Sequence, residues 1–306
     1  MRVSASLCTV LLTLISIVGC GKPAPTPKTT SNAKAVVETE SPVADEPSSD
    51  TSENEKVIEE ESEKTVDESE KKPGQLKIRF VYGGDAFEPK KIVPTTDKDF
   101  CGKKPLQNER LLVNPDNKGI RNVIVYVYTG RGAAKLPPIA HTPQDIILKN
   151  EACRFEPHIV LSRNGDTLRV ENPDDVGHNA NISFFAQTAV NLLIPPKQFK
   201  TVELVAAQPA PIPIDCNIHP WMKAYVVVLD HPFMAVSDEN GELTIEGLPT
   251  GKELTFRAYH EAGGISEIMI NGKQETWKRS RFELEINSGM NDLGTVEVSA
   301  DAMSAD

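Results

Sequence analysis

The sequence predicts an all-β protein in which two β-sandwiches follow a long segment without regular structure. From Leu76 onward the helical period is missing, and short β-branched or aromatic runs alternate with Gly, Pro, Asn and Asp. Before about Gln75 the chain is rich in Pro, Ser, Thr and Glu and contains almost no aromatic residues. After Asp230 a second series of short apolar runs begins. These observations predict a disordered tether, a first sandwich over residues 76–230 and a smaller one over residues 231–300.

Residues 1–20 have the pattern of an export signal. Arg2 precedes an apolar run from Leu7 to Val18, which is too short to span a bilayer as a mature helix. The run ends in Ile17-Val18-Gly19-Cys20, which resembles the lipobox of bacterial lipoproteins, where the cysteine is acylated. The resemblance implies a protein anchored to the membrane of a bacterial cell envelope through Cys20, on the periplasmic or outer-membrane side. The alternative is an ordinary secretory signal.

Residues 21–75 are predicted to form the acidic, disordered tether. They contain 14 Asp and Glu against 7 Lys and Arg, in a chain whose net charge is −11. Such a segment cannot bury enough apolar surface to offset the entropy lost on ordering. As a flexible coil, about 55 residues would span roughly 40 Å, a plausible reach from a membrane to a partner. The sequence has no basic patch, so nucleic acid is not an expected partner.

The first sandwich is predicted from nine short apolar runs. Asn122–Tyr128 is apolar almost throughout, so it is expected to be a central strand covered on both faces. Between Thr129 and Lys149 the pattern breaks into Gly, Pro and Ala, and this excursion receives no assigned role. The nine candidate strands are Leu76–Tyr82, Arg110–Val113, Asn122–Tyr128, His158–Leu161, Asp166–Glu171, Ala180–Phe185, Lys200–Val205, Ile212–Asp215 and Ala224–Leu229.

One short loop carries a set of soft metal-binding side chains. Cys216, His219 and Met222 are each separated by two residues and precede the apolar run Ala224–Leu229. A thiolate, an imidazole and a thioether select copper over magnesium or calcium. A trigonal copper site also requires a second imidazole. His178 is the obvious donor, because it closely follows the segment Val170-Glu171-Asn172-Pro173-Asp174.

The two segments together resemble the cupredoxins, and the Cys-x-x-His-Pro-x-Met loop is most similar to that of the amicyanins. The resemblance implies a Greek-key sandwich with one type-1 copper. Cys216 would be the thiolate ligand, His178 and His219 would complete the plane, and Met222 would be the weak axial ligand.

The same resemblance assigns supporting roles to two neighbours of the ligands. Asn179 matches an asparagine that ties the two ligand loops together through hydrogen bonds. Pro220 occupies a place where the amicyanin loop also has proline, and it lacks the N–H that might otherwise bond the thiolate.

The implied function is the transfer of single electrons to or from an unidentified redox protein or enzyme. The chain itself is not expected to be an enzyme, because it lacks a Gly-x-Ser-x-Gly elbow, a phosphate-binding glycine loop and a second cysteine in the metal loop. The alternatives are a surface adhesion or carbohydrate-binding lipoprotein, and a protein for copper delivery or storage.

Two further cysteines, Cys101 and Cys153, are expected to form a disulfide because thiols in an exported protein most often pair. A bond closing a loop of about 50 residues would stabilise the fold by roughly 4 kcal/mol in the chain-entropy model. The alternative is a second metal site formed by these cysteines and His158.

The C-terminal residues 231–300 are predicted to form a separate module. The run from Phe233 to Ile245 contains Asn240-Gly241, a strong hairpin turn, and Leu254–His260 and Gly294–Val298 follow as strands. This texture resembles the small carboxypeptidase-regulatory-like or transthyretin-like sandwiches, which are usually non-catalytic. The two-module layout resembles lipoproteins of the methylamine-utilisation-like type.

Overall fold

The computed structural model describes residues 72–133 and 135–305. The predicted export signal over 1–20, Cys20 and the tether as far as residue 71 lie outside the described residues. The expected end of the tether at residue 75 is corrected slightly, because the first strand begins at Gly74. Within the described ranges, no helix has both the length and the apolar character needed to cross a membrane.

The regular secondary structure of the described chain is almost entirely β-strand, which confirms the predicted all-β class. One helical turn, α1, covers Lys98–Cys101, and 3-10 turns cover Lys278–Ser280 and Ala300–Ala302. The strands are β1 Gly74–Tyr82, β2 Ile124–Val127, β3 Asp145–Glu151, β4 Arg154–Glu156, β5 Ile159–Arg163, β6 Thr167–Glu171, β7 His178–Ile182, β8 Val190–Ile194, β9 Phe199–Glu203, β10 Ile212–Asp215, β11 Lys223–Leu229, β12 Met234–Val236, β13 Glu242–Leu248, β14 Lys252–Tyr259, β15 Glu267–Ile270, β16 Lys273–Thr276, β17 Arg281–Ile286 and β18 Gly289–Val298.

The first sandwich is formed by β3 to β11. One sheet has the order β5-β11-β10-β7-β8 and the other the order β4-β3-β6-β9. Alternate residues point inward along each strand, and Phe155, Leu168 and Val226 are among those that fill the core between the sheets. This sandwich contains both segments that carry the predicted metal ligands.

The second sandwich is formed by β1, β2 and β12 to β18. Its sheets have the orders β13-β1-β18-β15-β16 and β12-β2-β14-β17. The turn at Asn240-Gly241 joins β12 to β13, but these strands lie in different sheets, so the predicted hairpin does not form. Gly241 packs closely against β1, since a Cβ there would lie 2.0 Å from the carbonyl oxygen of Phe80, and its backbone φ is +78°. The N-terminal strand is therefore an integral part of this sandwich.

These pairings correct the expected domain boundaries. The runs Leu76–Tyr82 and Asn122–Tyr128 were assigned to the first sandwich over residues 76–230, but β1 pairs with β13 and β18, and β2 pairs with β12 and β14. The second sandwich thus contains chain from both sides of the first one, not residues 231–300 alone. Strand pairing over such separations leaves no local signal in the sequence.

Three other local expectations are corrected. The excursion between Thr129 and Lys149 ends in β3, which pairs with β6 of the first sandwich. Strand β8 was not predicted at all. Arg110–Val113 forms no strand, and only Val113 makes an isolated bridge, to Ile120.

The two sandwiches pack against each other through β11 and β2. Val226 and Val228 of β11 point into the first core, whereas Val227 and Leu229 of the same strand cluster with Ile124 of β2. The expectation that the run containing β2 is covered on both faces is confirmed, since all four residues of β2 are buried. The strand that follows the ligand loop is therefore fixed on both faces.

Candidate metal centre

The predicted ligand segments meet at one end of the first sandwich. β10 ends at Asp215 and β11 begins at Lys223, so the loop between them spans residues 216–222. Strand β7 begins at His178 and lies beside β10, where Asp215 pairs with Asn181. The antiparallel arrangement brings the start of β7 and the end of β10 to the same rim.

Three predicted ligands lie close together in the interior. One ligand atom from each of His178, Cys216 and His219 lies within 4.8 Å of the others. The distance from Sγ of Cys216 to Nδ1 of His219 is 3.8 Å. Both imidazoles are fully buried, and the cysteine is 2% exposed.

The outward ring nitrogen of each histidine contacts a carboxylate. Nε2 of His178 lies 3.0 Å from Oδ2 of Asp174, and Nε2 of His219 lies 2.9 Å from Oδ2 of Asp97. Asp174 is itself fixed by the backbone N–H groups of Ala152 and Cys153, each at 2.8 Å. These contacts fix the orientation of both rings, as outer hydrogen bonds do in metal sites, and the ring of His219 presents Nδ1 to the thiol.

Asn179 joins the two segments, as the resemblance implied. Its Oδ1 accepts hydrogen bonds from the backbone N–H of Asn217 at 2.8 Å and of Ile218 at 3.3 Å, and lies 3.5 Å from Sγ of Cys216. Its amide nitrogen donates to Oδ1 of Asn191 on β8 at 2.7 Å. One side chain therefore connects the loop after β10 to strands β7 and β8.

Backbone hydrogen bonds close the ligand loop into a compact turn. The N–H of Met222 donates to the carbonyl of His219 at 2.9 Å, and the N–H of Cys216 donates to the carbonyl of Met222 at 3.2 Å. The N–H of His219 lies 3.4 Å from Sγ of Cys216. Met222 is 1% exposed and belongs to the first core, whereas Pro220 is exposed.

The electrostatics favour a thiolate beside the imidazoles. Burial raises the pKa of Cys216, but contacts with His178, His219 and Asn179 outweigh it and lower the pKa to about 6. Burial lowers the pKa of His178, yet Asp174 and Cys216 raise it above its ordinary value. Asp174 shows the complementary effect, since burial raises its pKa but the contact with His178 and two backbone N–H groups lower it.

The donor set fits a single soft metal ion. Among the residues that the structure describes, the buried Nδ1 of His178 has no hydrogen-bond partner, although buried polar atoms are normally paired. A thiol with a lowered pKa, two imidazole nitrogens and a buried thioether residue are ligands that copper accepts, whereas magnesium and calcium require oxygen.

Cys101 and Cys153 form a disulfide with a Cα–Cα distance of 5.6 Å. This bond leaves neither sulfur for the alternative metal site with His158. It joins α1 to the loop between β3 and β4, and with Leu106 it forms a small apolar cluster that also contacts Trp221. We call these residues the disulfide cluster.

The remaining histidines are structural. His158 lies between the carboxylates of Glu261, in direct contact, and Glu109, at 3.8 Å. His141 contacts Asp166 at 2.6 Å. His231 and His260 are buried, at 2% and 4% exposure.

Asp97 is the site residue that sequence reasoning missed. It directly precedes α1, where an aspartate would normally cap the helix through its side chain. No side-chain cap bond forms here, and the carboxylate contacts His219 instead, 122 positions away. Neither spacing nor composition carries a signal for this contact.

No protein-family model matches the chain, and no curated protein matches it. Among solved structures, part of the chain is similar to a Cu(I) mutant of amicyanin, with 20% identity, a TM-score of 0.25 and coverage of 28% of this chain and 81% of that one. A copper-containing nitrite reductase from Thermus scotoductus matches with 16% identity, a TM-score of 0.26 and coverage of 31% of this chain and 25% of that one. A purple cupredoxin from Nitrosopumilus maritimus matches with 20% identity, a TM-score of 0.23 and coverage of 28% and 98%. All three similarities are partial and have low TM-scores.

Proposed function

We propose that this chain is a cupredoxin-like type-1 copper protein that carries single electrons. The observation that supports the proposal is the buried group of one thiol and two imidazoles, each within 4.8 Å of the others, with an unpaired Nδ1 on His178. Asn179 ties the two ligand segments together, as expected of a site that must keep its shape.

In this proposal Cys216, His178 and His219 would hold the metal, and Met222 would be a weaker fourth ligand. Copper bound there would supply one-electron redox chemistry. The chain contributes burial, which excludes water, and the carboxylates of Asp174 and Asp97, which keep both imidazole rings in one orientation. Side chains fixed in this way need little rearrangement when the charge of the site changes, so electron exchange should be fast.

The cellular setting belongs to the same proposal and is supported by the sequence alone. An acylated Cys20 would anchor the protein in the cell envelope of a bacterium, and residues 21–75 would extend the folded part toward its partner. That partner would be a redox protein or enzyme, because the site is a carrier and is not expected to catalyse a reaction itself.

The test is a titration of residues 72–306 with Cu(II), monitored by visible absorption and cyclic voltammetry. The wild-type protein should bind one copper, become intensely blue through thiolate-to-copper absorption and show a reversible redox wave. Cys216→Ser should lose the colour completely because it removes the thiolate, whereas His158→Gln, outside the site, should keep it.

Two outcomes would favour other functions. A colourless protein with an intact Cys216 thiol would contradict the proposal and favour an adhesion or carbohydrate-binding role. Tight Cu(I) binding without reversible oxidation would favour copper delivery or storage.

A further inference from the structure

The proposed metal site offers no imidazole edge to solvent. Both rings are 0% exposed, Cys216 is 2% exposed and Met222 is 1% exposed. The outward nitrogen of His219 is covered by Asp97 at the start of α1. A redox partner therefore cannot reach His219 directly.

Trp221 provides a route from the buried site toward the surface. Its ring is only partly buried and lies 5.1 Å from the ring of His219, centroid to centroid. The indole N–H donates a hydrogen bond of 3.0 Å to the carbonyl of Cys153, and the ring packs against the disulfide cluster. The indole is thus fixed in place between the ligand loop and the disulfide.

A groove of about 360 Å³ opens beside Pro220 and Trp221. Its lining includes four cationic side chains, those of Lys90, Lys91, Arg110 and Lys223. We call it the basic groove. It also contains the carboxylate of one residue, Glu261.

The charge of the basic groove is opposite to that of the chain as a whole. Glu261 contacts His158 and accepts a hydrogen bond of 3.4 Å from Tyr225, so its charge is offset within the protein. Lys223 also contacts Asp215 at 3.3 Å, but both side chains stay about half exposed. In a chain of net charge −11, a local positive field beside a redox site would steer acidic molecules to this place.

We propose that the basic groove is the docking surface for an acidic redox protein, which reaches the metal site past Trp221 and not past the edge of His219. The electron exchange rests on the proposed function, whereas the docking requires only the folded chain. Carboxylates of the partner would contact Lys91, Lys223 and their neighbours. Contacts between electron-transfer proteins are typically small and transient, so a groove of this size suffices to orient the partner.

The docking can be tested without copper. Redox-inert hexacyanochromate(III), a paramagnetic trianion, is added to the copper-free chain of residues 21–306, and line broadening of the NMR signals is measured. The indole N–H signal of Trp221 and the backbone signals of Lys91 and Lys223 should broaden first. In Lys91→Glu combined with Lys223→Gln, the apparent affinity at this place should fall about tenfold or more, because the field that attracts the anion is removed.

The matched control is Lys252→Glu combined with Lys273→Gln, which changes the net charge equally but on the second sandwich. This control should bind the anion at Trp221 as the wild-type protein does. Equal weakening in both variants, or broadening that avoids the groove, would overturn the proposal. A well-dispersed spectrum establishes that each variant folds, and Lys91→Gln alone serves as a milder second variant.

Two further arms separate the alternatives. If the acidic tether itself fills the groove, deleting residues 21–71 will strengthen anion binding, and that result would also overturn the proposal.

In the copper-loaded protein, Cu(I) should give one electron to hexacyanoferrate(III), forming hexacyanoferrate(II). The second-order rate of this reaction should fall about tenfold in the groove variant and not in the control. A protein that binds the anion in the groove but forms no blue copper site would refute the proposed function and leave the docking surface intact.

Discussion

At the residue scale, the site shows why some contacts could be predicted and others could not. Cys216, His219 and Met222 lie in one loop, so their spacing in the sequence reports their proximity in space. His178 was found through the Asn-x-Asp pattern before it. Asp97 contacts His219 across 122 positions. No local sequence pattern distinguishes an isolated aspartate in a polar loop from other aspartates.

Asn179 provides the first prediction at this scale. Asn179→Ala removes the acceptor for two backbone N–H groups of the ligand loop, so copper retention should weaken about 10- to 100-fold. The affinity is measured by competition with a Cu(I) chelator. Asn191→Ala is the control, because it removes only the distant partner of the Asn179 amide and should have little effect. Equal losses in the two variants would contradict the account.

His158 predicts a pH dependence of stability. Burial alone would lower the pKa of this imidazole, but the carboxylates of Glu109 and Glu261 have the larger effect and raise the pKa to about 9. The folded pKa is above the unfolded value, so the stabilisation is complete below about pH 6.5 and is lost as the pH rises through about 9. The Cys216 thiol, whose pKa is lowered to about 6, would add stability over the same range, so the measurement uses a Cys216→Ser background. In that background the melting temperature of the copper-free protein should fall on the order of 5 °C between pH 7 and 9.5.

The control for this slope of melting temperature against pH is a pair of variants measured by the same thermal melts in the same background. His158→Gln should flatten the slope between pH 7 and 9.5, because the titrating group is gone. His141→Gln removes an imidazole that contacts a different carboxylate, that of Asp166, and should leave the slope unchanged. A slope that survives His158→Gln would show that another group causes it.

At the scale of elements, periodicity predicted which strands are buried but not which strands pair. All four residues of β2 are covered, as the apolar run indicated, yet its neighbours β12 and β14 belong to the C-terminal half of the chain. β3 was missed because Asp145, Lys149 and Asn150 make the run look polar, although Leu148 and Asn150 are fully buried. Register and partner depend on tertiary packing, which a local pattern does not contain.

The position of β1 in the second sandwich leads to a stability prediction. Phe80 of β1 is fully buried and packs edge-on against Trp277, with ring centroids 6.4 Å apart. Phe80→Ala should cost about 3–5 kcal/mol of the free energy of unfolding, because it leaves a cavity in the second sandwich. Chemical denaturation followed by the fluorescence of Trp277, in a Trp221→Phe background, measures this loss.

Tyr82→Ala in the same background is the matched control. Tyr82 lies at the end of β1 and is only partly buried, so its loss should cost clearly less. If Phe80→Ala left the transition at Trp277 unchanged, β1 would not be part of the second sandwich.

At the scale of the whole described part, strands β11 and β2 connect the site to the rest of the fold. The ligand loop leads into β11, and one face of β11 fills the first core. The other face of β11 packs against β2, and the opposite face of β2 lies toward the second core. The disulfide fixes α1 against the first sandwich and so places Asp97 over His219. The sequence predicted the all-β class and the rim that carries the ligands. It could not show that the second sandwich encloses chain from both sides of the first, because pairs such as β1 with β18 are separated by about two hundred residues.

The most direct test of the central claim is X-ray absorption at the copper edge of residues 72–306 loaded with one equivalent of copper. We expect a single copper with one short sulfur ligand and two imidazole nitrogens, and the loss of the short sulfur contribution in Cys216→Ser. A copper coordinated only by nitrogen and oxygen in the wild-type protein would contradict the account, because the thiol and the two imidazoles would then not share a metal ion.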